Sequence, residues 1–172
     1  MAERLTIGVI SDTHGFFDPQ IPALFAGVDR ILHAGDIGSL QVHDQLQEVA
    51  PVTAISGNVD EGCLPRDFSS RQTIELGGMR IFMIHILGQP SRLKPAMRAQ
   101  LARLQPDVVI FGHSHQPLVQ RVGTTLFLNP GSAGPKRFSL PRCLGILQIE
   151  NREARAKIIP LELSSSKSET DC

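Results

Sequence analysis

The stretch Leu5-Thr6-Ile7-Gly8-Val9-Ile10-Ser11-Asp12-Thr13-His14-Gly15 decides the fold. Apolar and β-branched residues dominate its first six positions and predict a strand over residues 5–10. The strand stops at a turn-prone run that carries Asp12 and His14. Working outward, residues 21–26 read as a short helix, and residues 30–33 as a second strand ending at Ala34-Gly35-Asp36. Ser39 is suited to cap a helix in which Leu40, His43, Leu46 and Val49 recur at helical spacing, closed by Pro51. Residues 52–55 form a third strand, which runs into Ser56-Gly57-Asn58. Strands alternating with helices indicate an α/β domain.

The pattern changes after residue 70. Residues 73–76 and 79–85 flank Gly77-Gly78, a hairpin signal. Residues 91–104 predict a helix with Leu93, Met97, Leu101 and Leu104 on one face. Residues 108–111 are an apolar strand ending at Gly112-His113-Ser114-His115. Hairpins follow around Gly123-Thr124 (residues 118–128) and around Asn151-Arg152 (residues 143–159). Mixed strand order of this kind predicts two packed sheets with helices outside. One domain is expected over residues 1–163, followed by a polar tail, residues 164–172, expected to be disordered.

With 172 residues the chain has room for one sizeable core. Its 17 basic and 17 acidic residues cancel, so no basic surface for nucleic acid or membrane is evident. An anion-binding site here needs a local source of positive charge, which bound cations would supply. Cys63, Cys143 and Cys172 are too scattered for a disulfide framework and fit free thiols. With no apolar signal core or membrane-length run, a soluble cytoplasmic protein is expected.

Five apolar strands run directly into a side chain able to bind metal or phosphate: Asp12 and His14, Asp36, Asn58, His85, and His113 with His115. In α/β sheets, ligands bind beyond the carboxyl ends of the strands. Any one of these histidines alone reads as a hydrogen-bonded residue at a strand end. Clustered imidazoles and carboxylates without a cation would concentrate the cost of burying polar groups. Imidazole, carboxylate and carboxamide ligands without thiolate favour Mn²⁺, Fe or Zn²⁺, with Ni²⁺ a further alternative.

In order along the chain, Asp12-x-His14, Gly35-Asp36, Gly57-Asn58, His85 and Gly112-His113-x-His115 resemble the motifs of the calcineurin-like metallophosphoesterases. Ser-Asp-Thr-His-Gly, His-Ala-Gly-Asp and Asn129-Pro130-Gly131-Ser132 are similar to its small bacterial and archaeal phosphodiesterase branch. The resemblance spans about residues 5–160. It implies an α/β sandwich with two divalent ions, with Mn²⁺ the first expectation. Asp12, His14 and His115 would hold one ion, Asn58, His85 and His113 the other, and Asp36 would bridge both. Asp36, Asn58 and His113 are the catalytic residues it implies. The implied reaction is hydrolysis of a small phosphodiester by a hydroxide formed between the two ions. Asn58 suits its place because its amide oxygen can bind metal while its NH₂ faces phosphate.

Two positions depart from the family pattern. Relatives often carry histidine after the asparagine, where Val59 stands, and Val59 cannot protonate a leaving group. His-Gly-His is replaced by His85-Ile86-Leu87, removing a phosphate contact and adding apolar surface. Arg92 is the candidate substrate contact that could substitute, while Lys94, Lys136 and Arg137 read as solvated. His33 and Asp60 are the candidates for supporting the ligands from behind, Asn129 for a structural turn, and His43 for a role outside the chemistry. Phosphomonoester hydrolysis and a protein-binding scaffold of the same fold, as in a retromer subunit, are the alternatives. A metal-free nucleotide fold is disfavoured, because neither a Gly-x-Gly-x-x-Gly run nor a phosphate-loop lysine is present.

Overall fold

A computed structural model describes residues 4–65, 67–137 and 139–161; the expected tail, residues 164–172, lies outside the described residues. The elements run β1 (Leu5–Ile10), α1 (Ile21–Leu24), β2 (Arg30–His33), α2 (Leu40–Val49), β3 (Val52–Ala54), β4 (Arg71–Leu76) and β5 (Met79–Ile84). A 3-10 turn (Pro90–Arg92) precedes α3 (Pro95–Leu104), β6 (Val108–Ile110), β7 (Leu118–Val122), β8 (Thr125–Asn129), β9 (Cys143–Glu150) and β10 (Glu153–Pro160).

They form two five-stranded mixed sheets, ordered β10-β9-β1-β2-β3 and β4-β5-β6-β8-β7. Strands β1, β2 and β3 are parallel in the first sheet, and β5, β6 and β8 in the second. Antiparallel strands flank each parallel set. The inner faces meet in one core, where Ile7, Val9 and Leu32 pack with Ile81, Met83, Val108, Ile110 and Leu128. On the outer face of the first sheet, Ile21, Phe25, Val42 and Leu46 bury against Ile10 and Ile31. On the outer face of the second, Leu93, Met97, Leu101 and Leu104 cover Phe82, Val109 and Phe127. Each fully buried aliphatic or aromatic side chain contributes about 1.5–3 kcal/mol. The sandwich is thus held by three apolar layers rather than by helix propensity.

Three expectations need correction. The first helix ends at Leu24 rather than at residue 26. The buried face of α2 is Val42 and Leu46, while Leu40 is exposed and His43 is only partly covered. Ser39 does cap α2, its hydroxyl accepting from the Val42 N–H at 3.4 Å. The helix expected over residues 91–104 begins only at Pro95, because Lys94 is extended, as the residue before a proline must be. The preceding 3-10 turn, Pro90–Arg92, takes up residues 91 and 92, and Leu93 is extended like Lys94. Among the described residues no helix is long and apolar enough to cross a membrane.

Candidate metal centre

Parallel strands in both sheets point their carboxyl ends to the same edge of the sandwich. Asp12 and His14 follow β1, Asp36 follows β2, Asn58 follows β3, His85 follows β5, and His113 and His115 follow β6. The loops are zipped together by backbone bonds: Asp12 N–H to Gly35 O at 3.0 Å, His14 N–H to Asp36 O at 3.0 Å, and Gly112 N–H to His85 O at 3.0 Å.

Two groups of donor atoms result. Asp12, His14 and His115 bring a ligand atom each within 4.8 Å of one another, and so do Asp36, His85 and His113. The groups abut, with His85 Nε2 3.9 Å from Asp12 Oδ1 and His14 Nε2 4.0 Å from Asp36 Oδ2. Within the groups, His115 Nε2 lies 3.1 Å from Asp12 Oδ1, and His85 Nε2 3.3 Å from Asp36 Oδ2. Asn58 is exposed and shares the wall of an adjoining cleft with His85. Arg92 is exposed on its 3-10 turn and is not among the residues lining the clefts beside the centre.

Five of these side chains sit on left-handed backbone: Asp12 (φ 55°), His14 (49°), Asp36 (54°), His113 (69°) and His115 (56°). Such a conformation costs a residue with a side chain about 1 kcal/mol or more and persists only where the surroundings impose it. The surrounding contacts leave no room for other arrangements. A Cβ on Gly57 would fall onto Asp36 Oδ1, and one on Gly112 would fall onto Ser11 Oγ and within 2.7 Å of Asp12 Oδ2.

Each carboxylate has one oxygen spoken for. Asp12 Oδ2 accepts from Ser11 Oγ at 2.6 Å and from the His113 N–H at 3.1 Å, and Asp36 Oδ1 accepts from the Val59 N–H at 3.0 Å. The other oxygens face the imidazoles. Among the described residues no hydrogen bond reaches Asp12 Oδ1 or His85 Nε2, although both atoms are buried. Leaving a buried charged acceptor unpaired is costly, so this centre fits a cation. Its donors are oxygen and imidazole nitrogen without sulfur, which suits Mn²⁺, Fe or Zn²⁺.

The electrostatics agree. Burial would raise the Asp36 carboxyl, but the His85 imidazole and the Val59 N–H hold it at about 2. Burial likewise opposes ionisation of Asp12, yet the imidazole of His115 and the Ser11 hydroxyl keep it below the usual range. Both are therefore anions at neutral pH. His14 is depressed by burial and then by the charge of Arg137, which is itself exposed to solvent. His85 is pushed down by burial but raised overall by Asp36 and Asp12.

Behind the donors lies a second layer. Asp60 is buried and accepts three backbone N–H groups, from Ile37 at 3.1 Å, Gly38 at 2.7 Å and Gly57 at 2.7 Å. It therefore ties the Asp36 loop to the Asn58 loop. His85 is aimed by Nδ1, which donates to Ala34 O at 2.8 Å, leaving Nε2 free for the centre. Sequence reading missed Ser11 and gave Asn129 only a turn. Asn129 Nδ2 donates to Gly112 O and to Ser114 Oγ, both at 3.1 Å, and so fixes the His113 loop. Asp18 and Arg142 also escaped it. Arg142 Nη2 meets Asp18 Oδ2 at 2.6 Å while its Nε donates to Gly134 O at 2.7 Å. Separated by 124 residues, that pair leaves no local signal.

His33 is fully buried. Its Nδ1 accepts the Gly35 N–H at 3.2 Å, so Nε2 carries the proton toward Thr13 Oγ1 at 2.9 Å. Burial lowers its pKa from 6.5 to about 4. Between those values the unfolded chain binds the proton and the folded one does not, so stability rises with pH across that window. The contribution is complete above pH 6.5 and is lost on acidification toward pH 4, amounting to about 3 kcal/mol. Urea midpoints of the wild type and His33→Asn across that range should show it. A wild-type slope no steeper than the variant's would refute the assignment.

A model of the calcineurin-like phosphoesterase superfamily domain matches residues 5–152. The chain belongs to this superfamily. A probable metallophosphoesterase of Methanocaldococcus jannaschii is 34% identical, covering 92% of this chain and 82% of the relative. A phosphodiesterase of the same organism is 28% identical over 90% of this chain and 99% of its own length. Among solved structures, vacuolar protein sorting 29 of Cryptosporidium parvum superposes with a TM-score of 0.73 at 18% identity, covering 93% and 99% of the two chains. That last likeness concerns the fold alone.

Proposed function

We propose that this superfamily member is a metal-dependent phosphodiesterase working with two divalent ions, in one domain and in the cytoplasm. The observation that carries the reading is the pair of abutting donor groups, each holding a buried atom, Asp12 Oδ1 or His85 Nε2, that lacks a hydrogen bond among the described residues. Asp12, His14 and His115 hold one ion, Asn58, His85 and His113 the other, and Asp36 lies between. Manganese is the first choice, with Fe, Zn²⁺ and Ni²⁺ as alternatives. Bound there, divalent ions supply positive charge to the phosphoryl oxygens and a lowered pKa for water.

The chain's own groups divide the remaining work. Asp12 and Asp36, held ionised, keep the centre negative enough to retain cations. Asn58, exposed at the cleft wall, offers its amide N–H groups to a phosphoryl oxygen. Val59 contributes its N–H to Asp36 while its side chain faces solvent, so it has no proton for a leaving oxygen.

The name of the archaeal phosphodiesterase supports diesters over monoesters. Mn²⁺-loaded protein should hydrolyse bis(p-nitrophenyl) phosphate faster than p-nitrophenyl phosphate. Rates should also fall steeply as the leaving-group pKa rises, because Val59 offers no general acid. Equal or greater monoester turnover would shift the reading to a phosphomonoesterase. No Mn²⁺ binding by calorimetry would favour a scaffold instead, as the likeness to vacuolar protein sorting 29 allows.

A further inference from the structure

A second cleft opens directly beside the centre and shares Gly112 and His113 with it. Its volume is about 500 Å³, within the roughly 300–1,000 Å³ of small-molecule sites. Ile86, Leu87, Pro90, Phe111, Pro117 and Leu118 form its apolar walls. The glutamines 89, 116 and 120 supply neutral amides, and among the described residues His113 is the one titratable group lining it. Among those residues no carboxylate, lysine or arginine lines the cleft, so a charged ester arm would be desolvated there without a partner from them.

Leu87 sharpens this contrast. It is buried in one cluster with Phe82, Val109, Phe111 and Phe127. The wall is therefore backed by packed side chains and is not a loose surface. Ile86 lies half in solvent at the mouth, beside His85.

We infer that this cleft receives an uncharged aromatic arm of a phosphodiester, seated between Phe111, Leu118 and Ile86 while the phosphoryl group lies at the centre. The inference rests on the phosphodiesterase reading and deepens it. A monoester has no second arm to fill the cleft, whereas a diester with an aromatic arm gains apolar burial that an alkyl arm cannot match. Neutral amides at the rim can meet ring substituents without demanding charge.

The test compares bis(p-nitrophenyl) phosphate with methyl p-nitrophenyl phosphate, which share a leaving group and differ in the other arm. Intrinsic reactivity cancels when the ratio of their kcat/KM values is compared between wild type and variants. Ile86→Ala and Leu118→Asn should each lower that ratio at least fivefold, chiefly through KM of the diaryl ester. Ratios within twofold of wild type in both variants would overturn the inference. Calorimetry with diphenyl phosphate against dimethyl phosphate provides a readout independent of turnover. Wild type should bind the diphenyl ester at least tenfold more tightly, and both variants should narrow that gap. If neither diester is hydrolysed yet the calorimetric preference persists, the phosphodiesterase reading fails while the aromatic cleft stands. Equal binding of the two esters would remove the cleft whatever the hydrolysis shows.

Discussion

Replacing Asp36 by asparagine (Asp36→Asn) is expected to abolish Mn²⁺-dependent hydrolysis, at least about a thousandfold, while leaving the fold intact. The loss of one strong electrostatic stabiliser of a transition state alone costs about a hundred- to a thousandfold, and Asp36, a member of one donor group, also approaches His14 of the other. Its Oδ2 is 3.3 Å from His85 Nε2 and 4.0 Å from His14 Nε2. An amide could not supply the negative charge that, under the proposed two-ion reading, would hold the cations against each other's repulsion. The fold should survive for two reasons. Asparagine accepts the left-handed backbone found here at φ 54°, and its amide oxygen can still accept the Val59 N–H. Removing one of two neighbouring anions should even relieve some repulsion in the metal-free protein. The readouts are activity and thermal midpoint with and without Mn²⁺. Wild type should gain stability on adding the ion, because only the folded state binds it, and the variant should gain little. A variant retaining a tenth of the activity and the full metal-induced shift would show that the carboxylate is not shared.

The legible part of this architecture is the part written locally. Each candidate donor follows a short apolar strand within a few residues, so the strands Leu5–Ile10, Arg30–His33, Val52–Ala54 and Val108–Ile110, the last two each one residue shorter than expected, could be read together with Asp12, Asp36, Asn58 and His113. The hairpin turns were legible for the same reason. Gly77-Gly78 and Asn151-Arg152 all adopt the positive φ that tight turns require. Helix boundaries were less so, because Pro95 is compatible with a helix start as well as an interruption, and only its effect on Lys94 decides. The left-handed backbone at Asp12, His14, Asp36, His113 and His115 leaves only a weak sequence mark, since aspartate and histidine are enriched there but adopt it in a minority of their occurrences. It is imposed by bonds to loops far away in the chain. Sequence distance hid the Asp18–Arg142 pair, 124 residues apart. Asn129 reaches Gly112 and Ser114 through the pairing of β8 with β6, and Ser11 bonds its neighbour Asp12, so these two lie closer in the chain but carry no motif that marks them.

Asp60, by contrast, was already a candidate support in the sequence, and Asp60→Ala should have the largest effect on stability. Its carboxylate is nearly inaccessible to water, at 2% exposure, and receives three N–H groups from two loops. Hydrogen bonds to a charged group contribute about 1.5–3 kcal/mol each, and stranding the donors adds their desolvation. Because the three share one acceptor they do not add fully, and a net loss of about 4 kcal/mol is expected. Asp60→Asn should lose about half of that. One amide oxygen can keep the Ile37 and Gly57 donors that now share Oδ2, but the NH₂ must then face the Gly38 N–H. Asp67→Ala, an exposed carboxylate in the same connection, serves as control and should change stability by under about 0.5 kcal/mol. Urea unfolding of metal-free protein measures all three. Activity should fall further than the folded fraction of Asp60→Ala explains, since the Gly57 N–H it releases no longer anchors Asn58 against Asp36. Mn²⁺ should then bind more weakly to the protein that remains folded. If Asp60→Ala costs less than 1 kcal/mol, or binds Mn²⁺ as the wild type does, the two loops are held together by something other than this carboxylate.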